Sequence, residues 1–424
     1  MKEKFTVAIL GAGNRGSGFG MLMQKESEHY EITALCDINP KQIEKCKTIL
    51  KGITDDMIFL DEESFFAEKR ADIMVIATQD KEHVRQAIRA LELGYDILLE
   101  KPISDSRDEL RSLLEVQKKT GKTVTVCHEL RYGPAYVKTY DLLKDGAIGD
   151  LIAIDAMERV VYWHQAQAYV RIQSHINDVA HPTILAKCSH DMDLVQHFAG
   201  AECDTVSSIG ALSFFRAENT PEGSTEKCVD CPYIDSCPYS AKRVYIDNWK
   251  KNGCPEFDWP FNKVSLKKPN TEEALLDGIK NTFFGKCVFR CGVEVNPHVV
   301  DHQLVQMQFK NGVTATLKMV MAGEPGRRIN LFGTHGEILM DERVGTIEVL
   351  RYGEEKEVIR FDTLFEGGHG HGGGDEILVN QLYSVLRGDC ENRTSLRESV
   401  ECHLIGIAAE ESRLSGGSLV KVHE

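Results

Sequence analysis

The run FTVAILGAGNRGSGFGML, Phe5 to Leu22, constrains the fold more than any other stretch of the chain. An apolar strand runs straight into Gly11, Gly13 and Gly16, and a helix follows. A strand that enters a G-x-G-x-x-G turn and leaves as a helix gathers backbone amides and a helix N-terminus at one point, which suits a pyrophosphate. A second apolar run, EITALCD, ends in Asp37, 21 residues beyond Gly16. A carboxylate there accepts hydrogen bonds from adenosine ribose hydroxyls. The pattern predicts a dinucleotide site built on Gly11, Gly13, Asn14, Arg15, Gly16 and Asp37. The acid disfavours a 2′-phosphate, so NAD is expected before NADP, which would need Arg15 or a nearby lysine to accommodate it.

The alternation then continues. Strand ADIMVIAT (71–78), a helix closed by Gly94, strand YDILLEKP, helix SRDELRSLLEVQKKTG and strand KTVTVC (122–127) predict an α/β unit with a doubly wound parallel sheet over residues 1–130. Ligands of such sheets sit at the carboxyl ends of the strands, where Thr78, Glu100-Lys101-Pro102 and His128 fall. From about Gly149 the strands become long and alternating, and Asn311-Gly312 marks a hairpin. Residues 131–424 are therefore expected to form an α+β domain with a large, mostly antiparallel, open-faced sheet.

A chain of 424 residues has room for two or three domains. Its net charge of −15, with lysines and arginines scattered, excludes the electrostatic footprint of a nucleic-acid binder. No apolar run reaches the roughly 18 residues of a membrane span. Thirteen cysteines, an odd number with several inside apolar runs, point to a reducing, cytoplasmic home. Residues 214–286 break the strand pattern and hold Cys228, Cys231 and Cys237. Their C-x2-C-x5-C spacing offers three soft ligands for a structural zinc, the fourth coming from Cys287, Cys254 or Cys291.

The segment ILAKCSHDMDL, inside a helix expected over Pro182–Phe198, places Lys187, His190 and Asp193 three residues apart, so that they can converge while Leu185, Met192 and Leu194 pack inward. Removing a hydride from a carbinol carbon requires a base for the hydroxyl proton. Histidine suits that role, and a neighbouring lysine can polarise the forming oxyanion. His190 is expected as the base, Lys101 and Lys187 as electrostatic support, and Asp193 as the group orienting His190. VVYWHQAQAYVR offers Trp163, His164, Tyr169 and Arg171 to a sugar, and EGGHGHGGGDE (366–376) offers His369 and His371 on a glycine-rich loop. Tyr132 is a further candidate for the pocket.

The stretches AILGAGNRG, VIATQDKEHVRQAIRALELGYDILLEKP, ELRYGPAYVKTYDLLKDGAIGDL and FGTHGEI resemble the glucose–fructose oxidoreductase, inositol dehydrogenase and rhizopine-catabolism (Gfo/Idh/MocA) family over nearly the whole chain. The resemblance implies an NAD-dependent sugar or polyol oxidoreductase, with Thr78, His83, Glu100 and Lys101 beside the cofactor and Lys101 also on the substrate hydroxyl. It also implies a homodimer or homotetramer formed through the open sheet. The family pattern D-x-G-x-H-x-x-D is met by His190 and Asp193, but Ala186 replaces its first acid, leaving Lys187 to take over part of that work.

Three functions are open at this stage. The first is a dehydrogenase acting on a secondary hydroxyl of a carbohydrate, polyol or glycoside. The second is a redox-neutral glycosidase or lyase, in which a 3-keto intermediate permits elimination and the bound NADH reduces the ketone again; His164, His369 or His371 would supply its extra base. The third is a non-catalytic sensor of sugar or NAD, which would have a disabled site.

Overall fold

The computed structural model describes residues 3–172, 181–256, 259–265, 269–361 and 373–424. His369 and His371 lie outside the described residues, and so does most of their glycine-rich loop.

The N-terminal strands are β1 (Phe5–Leu10), β2 (Tyr30–Cys36), β3 (Ile58–Phe59), β4 (Ile73–Ile76), β5 (Asp96–Leu99) and β6 (Val124–Val126). They form one parallel sheet in the order β3-β2-β1-β4-β5-β6. β4 is buried at every position, as expected for a strand covered by helices on both faces. Local chemistry ends the helices where the sequence says it should. Ser106 accepts a hydrogen bond from the Glu109 amide to start the helix Arg107–Thr120, and Gly121 closes it at φ 65°.

The remaining strands are β7 (Leu151–Arg159), β8 (Cys203–Ala211), β9 (His302–Phe309), β10 (Thr314–Val320), β11 (Gly326–Gly333), β12 (Gly336–Asp341), β13 (Thr346–Arg351), β14 (Glu357–Arg360) and β15 (Val420–Lys421). They form a nine-stranded sheet in the order β14-β13-β12-β11-β7-β10-β9-β8-β15. Its one parallel pair is β10 with β7. The β9–β10 hairpin turns at Asn311-Gly312, as its sequence predicts. Alternate residues of β9 and β10 are buried. That inner face packs on the helices Thr183–Ala199 and Leu396–Leu414.

Two features join the halves. One apolar cluster runs from Leu10, Ile76 and Leu99 through Leu185 and Met192 to Leu317 and Leu331. The helix Gly374–Arg387, late in the chain, packs Leu378, Val379 and Leu382 against Phe5, Phe19 and Tyr30 of the first sheet's layer. There the Tyr30 hydroxyl donates to the carbonyl of Val379 at 2.8 Å. Between β8 and β9 the described residues form short helical turns around a core of their own, including Trp249, Phe261, Val264, Leu275 and Phe284. No helix among the described residues is long and apolar enough to cross a membrane.

Candidate active site

The glycine loop is built to hold a dinucleotide. Gly11 has φ +94°, and a Cβ there would lie 2.4 Å from the carbonyl oxygen of Ala77. At Gly16 a Cβ would lie 1.9 Å from the carbonyl of Gly11. Only glycine permits this approach of strand, turn and helix. A Cβ on Gly13 would meet nothing within 4 Å, because that side opens into a cavity of about 450 Å³ lined by Gly11, Asp37, Thr78 and Lys263. Asp37 leaves the end of β2 with one oxygen on the Ala12 amide and the other on the Asn39 amide, both at 2.8 Å. A carboxylate fixed in this way fits ribose hydroxyls, so the residues present suit NAD.

Arg15 departs from the expectation. Instead of pointing to a phosphate, its guanidinium pairs with Glu100, Glu129 and Asp375, the last at 2.7 Å. Three acids around one cation leave it committed. His83 also plays a different part from the cofactor contact expected of it. It is 1% exposed, and its Nδ1 lies 2.8 Å from the carbonyl of Pro102, so it supports the Glu100-Lys101-Pro102 turn. Asn14 is held by Lys45 Nζ at 2.8 Å and by the side chain of Asn262, from the segment between β8 and β9.

The helix that carries Lys187, His190 and Asp193 forms where expected, at Thr183–Ala199, with Leu185, Met192 and Leu194 at 1% exposure or less. Cys188 interrupts it with φ −102° and ψ 15°, so Lys187 and His190 do not share one straight face. Lys187 turns to the second sheet, where its Nζ lies 2.7 Å from Glu158. Arg327, paired across strands with Glu158, bonds to it at 3.1 Å and to Asp191 at 2.8 Å. Burial works against the Glu158 charge, yet Arg327 and Lys187 hold this carboxyl below its usual range. Burial raises Asp191 instead, against the pull of Arg327.

His190 Nε2 lies 3.5 Å from Glu129 Oε2, with the His128 ring edge-on at 5.7 Å between centroids. Burial pushes the Glu129 carboxyl well up, and Glu100 and Asp375 add to the effect against Arg15. Asp193 does not serve His190 as expected. Both of its oxygens engage Arg131, at 2.6 and 2.8 Å, in a fully buried bidentate pair. The guanidinium fork matches a carboxylate better than one imidazole nitrogen does.

Lys101, at the end of β5, reaches the carbonyl of Ala186 at 3.5 Å, which joins the cofactor sheet to this helix. Beside them a cavity of about 370 Å³ is lined by Tyr136, Glu158, His164, Lys187, Arg327 and Phe361. Burial, followed by the charges of Lys187 and Lys101, lowers the His164 pKa to about 3, so the ring is neutral. Trp163 and Tyr169 flank it at centroid distances of 6.0 and 5.6 Å. Arg171 is not in this cavity. It is fully buried and donates to the carbonyls of Lys286 and Tyr239 and toward the Cys228 sulfur. The stretch Gln165–Ile172 is a π-helix, and Arg171 within it is fully buried. Tyr132 is likewise buried, with its hydroxyl on Thr394.

The zinc expectation finds no ligand set. Among the described residues no three of the sulfurs of Cys228, Cys231, Cys237 and Cys287 fall within 4.8 Å of one another. A tetrahedral site with Zn–S bonds of about 2.3 Å needs its sulfurs roughly 3.8 Å apart. Arg171 already places a positive charge among these cysteines.

Sequence reasoning missed Glu129, Glu158, Asp191, Arg131 and Arg327. Glu158 shares strand parity with buried Ile154 and Ala156, and Arg327 with buried Ile329 and Leu331. Charges at inward positions were the available signal.

This fold and loop define an NAD-binding Rossmann oxidoreductase, and comparison with known proteins agrees. Residues 5–128 match the model "Oxidoreductase family, NAD-binding Rossmann fold". Over that segment the chain is similar to the Gfo/Idh/MocA oxidoreductases. It is 24% identical to the putative oxidoreductase YteT of Bacillus subtilis, over 85% of this chain and 84% of that one. Glycosyl hydrolase family 109 protein 1 of Bacteroides thetaiotaomicron is 24% identical over 36% of this chain and 34% of its own length. A solved levoglucosan dehydrogenase in complex with NADH and levoglucosan shares the fold, with a TM-score of 0.69, 14% identity and coverage of 99% and 100% of the two chains.

Proposed function

We propose that the chain is an NAD-dependent enzyme that oxidises a secondary hydroxyl of a carbohydrate, polyol or glycoside. Residues 1–130 would hold the cofactor and residues 131–424 the substrate. The observation that carries this reading is the meeting of Lys101 with the 183–199 helix, which brings the ligand-binding end of the first sheet against Lys187 and His190. NAD bound in the cleft supplies the hydride acceptor. The chain's own groups handle the hydroxyl and its proton. Lys101 and Lys187 present cationic donors to the oxygen as negative charge develops on it. His190 takes the proton, and Glu129, in contact with its Nε2, is placed to share it. Glu158 and Arg327 fix Lys187 and present polar groups to further hydroxyls in the cavity.

A second reading, the redox-neutral glycosidase, is favoured by His164, an additional neutral imidazole lining the same cavity. One assay separates the two. The protein is incubated with NAD and a panel of free sugars, glycosides and inositols, following NADH absorbance and aglycone release together. Accumulating NADH supports the dehydrogenase, and aglycone release without NADH supports the glycosidase. His190→Ala should lower turnover by about a hundredfold or more while NAD binding persists; undiminished turnover would remove His190 as the base.

A further inference from the structure

We infer that the segment between β8 and β9 supplies a clamp for the cofactor's pyrophosphate, with Lys263 and Lys45 as the gripping cations. The inference rests on the NAD-dependent reading above. The turn Phe261–Val264 is seated firmly: Phe261 is 3% and Val264 0% exposed in the local apolar core. A Cβ on Gly278, in the helix Glu272–Asn281 beneath it, would fall 2.0 Å from the Val264 carbonyl, so only glycine allows that contact. With those two side chains buried, Asn262 and Lys263 face the first domain. Asn262 meets Asn14 of the glycine loop at 3.3 Å, across 248 residues of sequence. Lys263 lines the same cavity as Gly11 and Gly13, the glycines that would receive a pyrophosphate.

Lys45 arrives from the other side, on the helix Pro40–Ile49, and donates to the same Asn14. The two ammoniums are close enough for the Lys263 charge to act on Lys45. Among the described residues neither is ion-paired with a carboxylate. Two neighbouring cations, one bonded to Asn14 and the other next in sequence to the Asn262 that meets it, in a chain of net charge −15, form a site for an anion. Asp37, on the ribose side of the cavity, favours the diphosphate over a 2′-phosphate as that anion. A cofactor gripped from both sides leaves slowly.

The test is calorimetric titration of the full chain with NAD, ADP-ribose and NADP, together with NAD release measured by chase. K263A should weaken NAD and ADP-ribose alike by about tenfold, about 1.4 kcal/mol, and speed NAD release in proportion. K263R, which keeps the charge, should restore most of the affinity, and high salt should shrink the difference between wild type and K263A. Unchanged NAD affinity in K263A overturns the clamp while leaving the NAD reading intact. A loss confined to NADP also overturns it, by assigning Lys263 to a 2′-phosphate. A wild-type chain that binds neither dinucleotide overturns both.

Discussion

The Arg131–Asp193 pair fixes the turn beneath His190 to the helix that carries it, and its energetics are open to a double-mutant cycle. Asp193 is 1% exposed and Arg131 4%. Removing one partner of such a pair costs about 3–5 kcal/mol, because the other is left as an uncompensated buried charge. Asp193→Leu should fall at the lower end, since Arg131 keeps Glu398 at 3.1 Å, the Arg393 carbonyl at 2.7 Å and Gln196 at 3.2 Å. Arg131→Met should reach the upper end, because among the described residues Asp193 then retains only His128, at 3.9 Å. An unfolding entropy of about 2.1 cal/mol/K per residue gives roughly 0.9 kcal/mol/K for 424 residues. The single variants should therefore melt about 3 and about 6 °C below wild type. The double variant Arg131→Met/Asp193→Leu replaces the pair with apolar groups and should be more stable than either single one. Urea unfolding of all four proteins gives the coupling energy, expected at about 3 kcal/mol or more. Additive losses would refute the argument, since they would mean that neither charge depends on the other.

Other expectations follow from the same geometry. Gly16→Ala should abolish NAD binding by titration, because its Cβ would sit 1.9 Å from a backbone oxygen that has nowhere to move. Lys187→Met should lower kcat/KM for the alcohol by roughly a hundredfold with NAD affinity unchanged; a change in NAD affinity instead would place Lys187 on the wrong ligand. His403 is fully buried, accepting from the Ile103 amide at 2.8 Å while its Nδ1 lies 2.6 Å from the Ser399 carbonyl. Burial and then the neighbouring His128 lower its pKa to about 3. The unfolded chain takes up this proton near pH 6.5, so stability is full above that pH and is lost as pH falls toward 3. Between pH 7 and pH 5 the loss should be about 2 kcal/mol. Urea midpoints should show a smaller fall for His403→Gln, and an equal fall would exclude this histidine as the cause.

The first sheet was legible because its signals are local: glycine spacing, a capping serine and apolar runs each act within a few residues. The NG hairpin and the 183–199 helix were readable for the same reason. The polar network of the site was not, since Glu129, Glu158, Asp191 and Arg327 come from four distant segments and meet only through strand pairing and helix packing. Arg171 shows the opposite error. An arginine near aromatic residues reads as a sugar contact, yet a π-helical turn directs it into carbonyl oxygens and sulfur. Asp193 was expected to orient His190, and its actual partner could not be known without the turn that brings Arg131 within reach.

The helix Gly374–Arg387 has a consequence for dissecting this chain. Because it covers Phe5, Phe19 and Tyr30, and Asp375 closes the ring of acids around Arg15, a fragment ending near residue 130 would expose an oily flank and keep only Glu100 and Glu129 of the three acids. The nucleotide-binding half is stitched shut by thread from the far end of the protein. Exchanging it between relatives as a cassette should succeed only if that late helix travels with it.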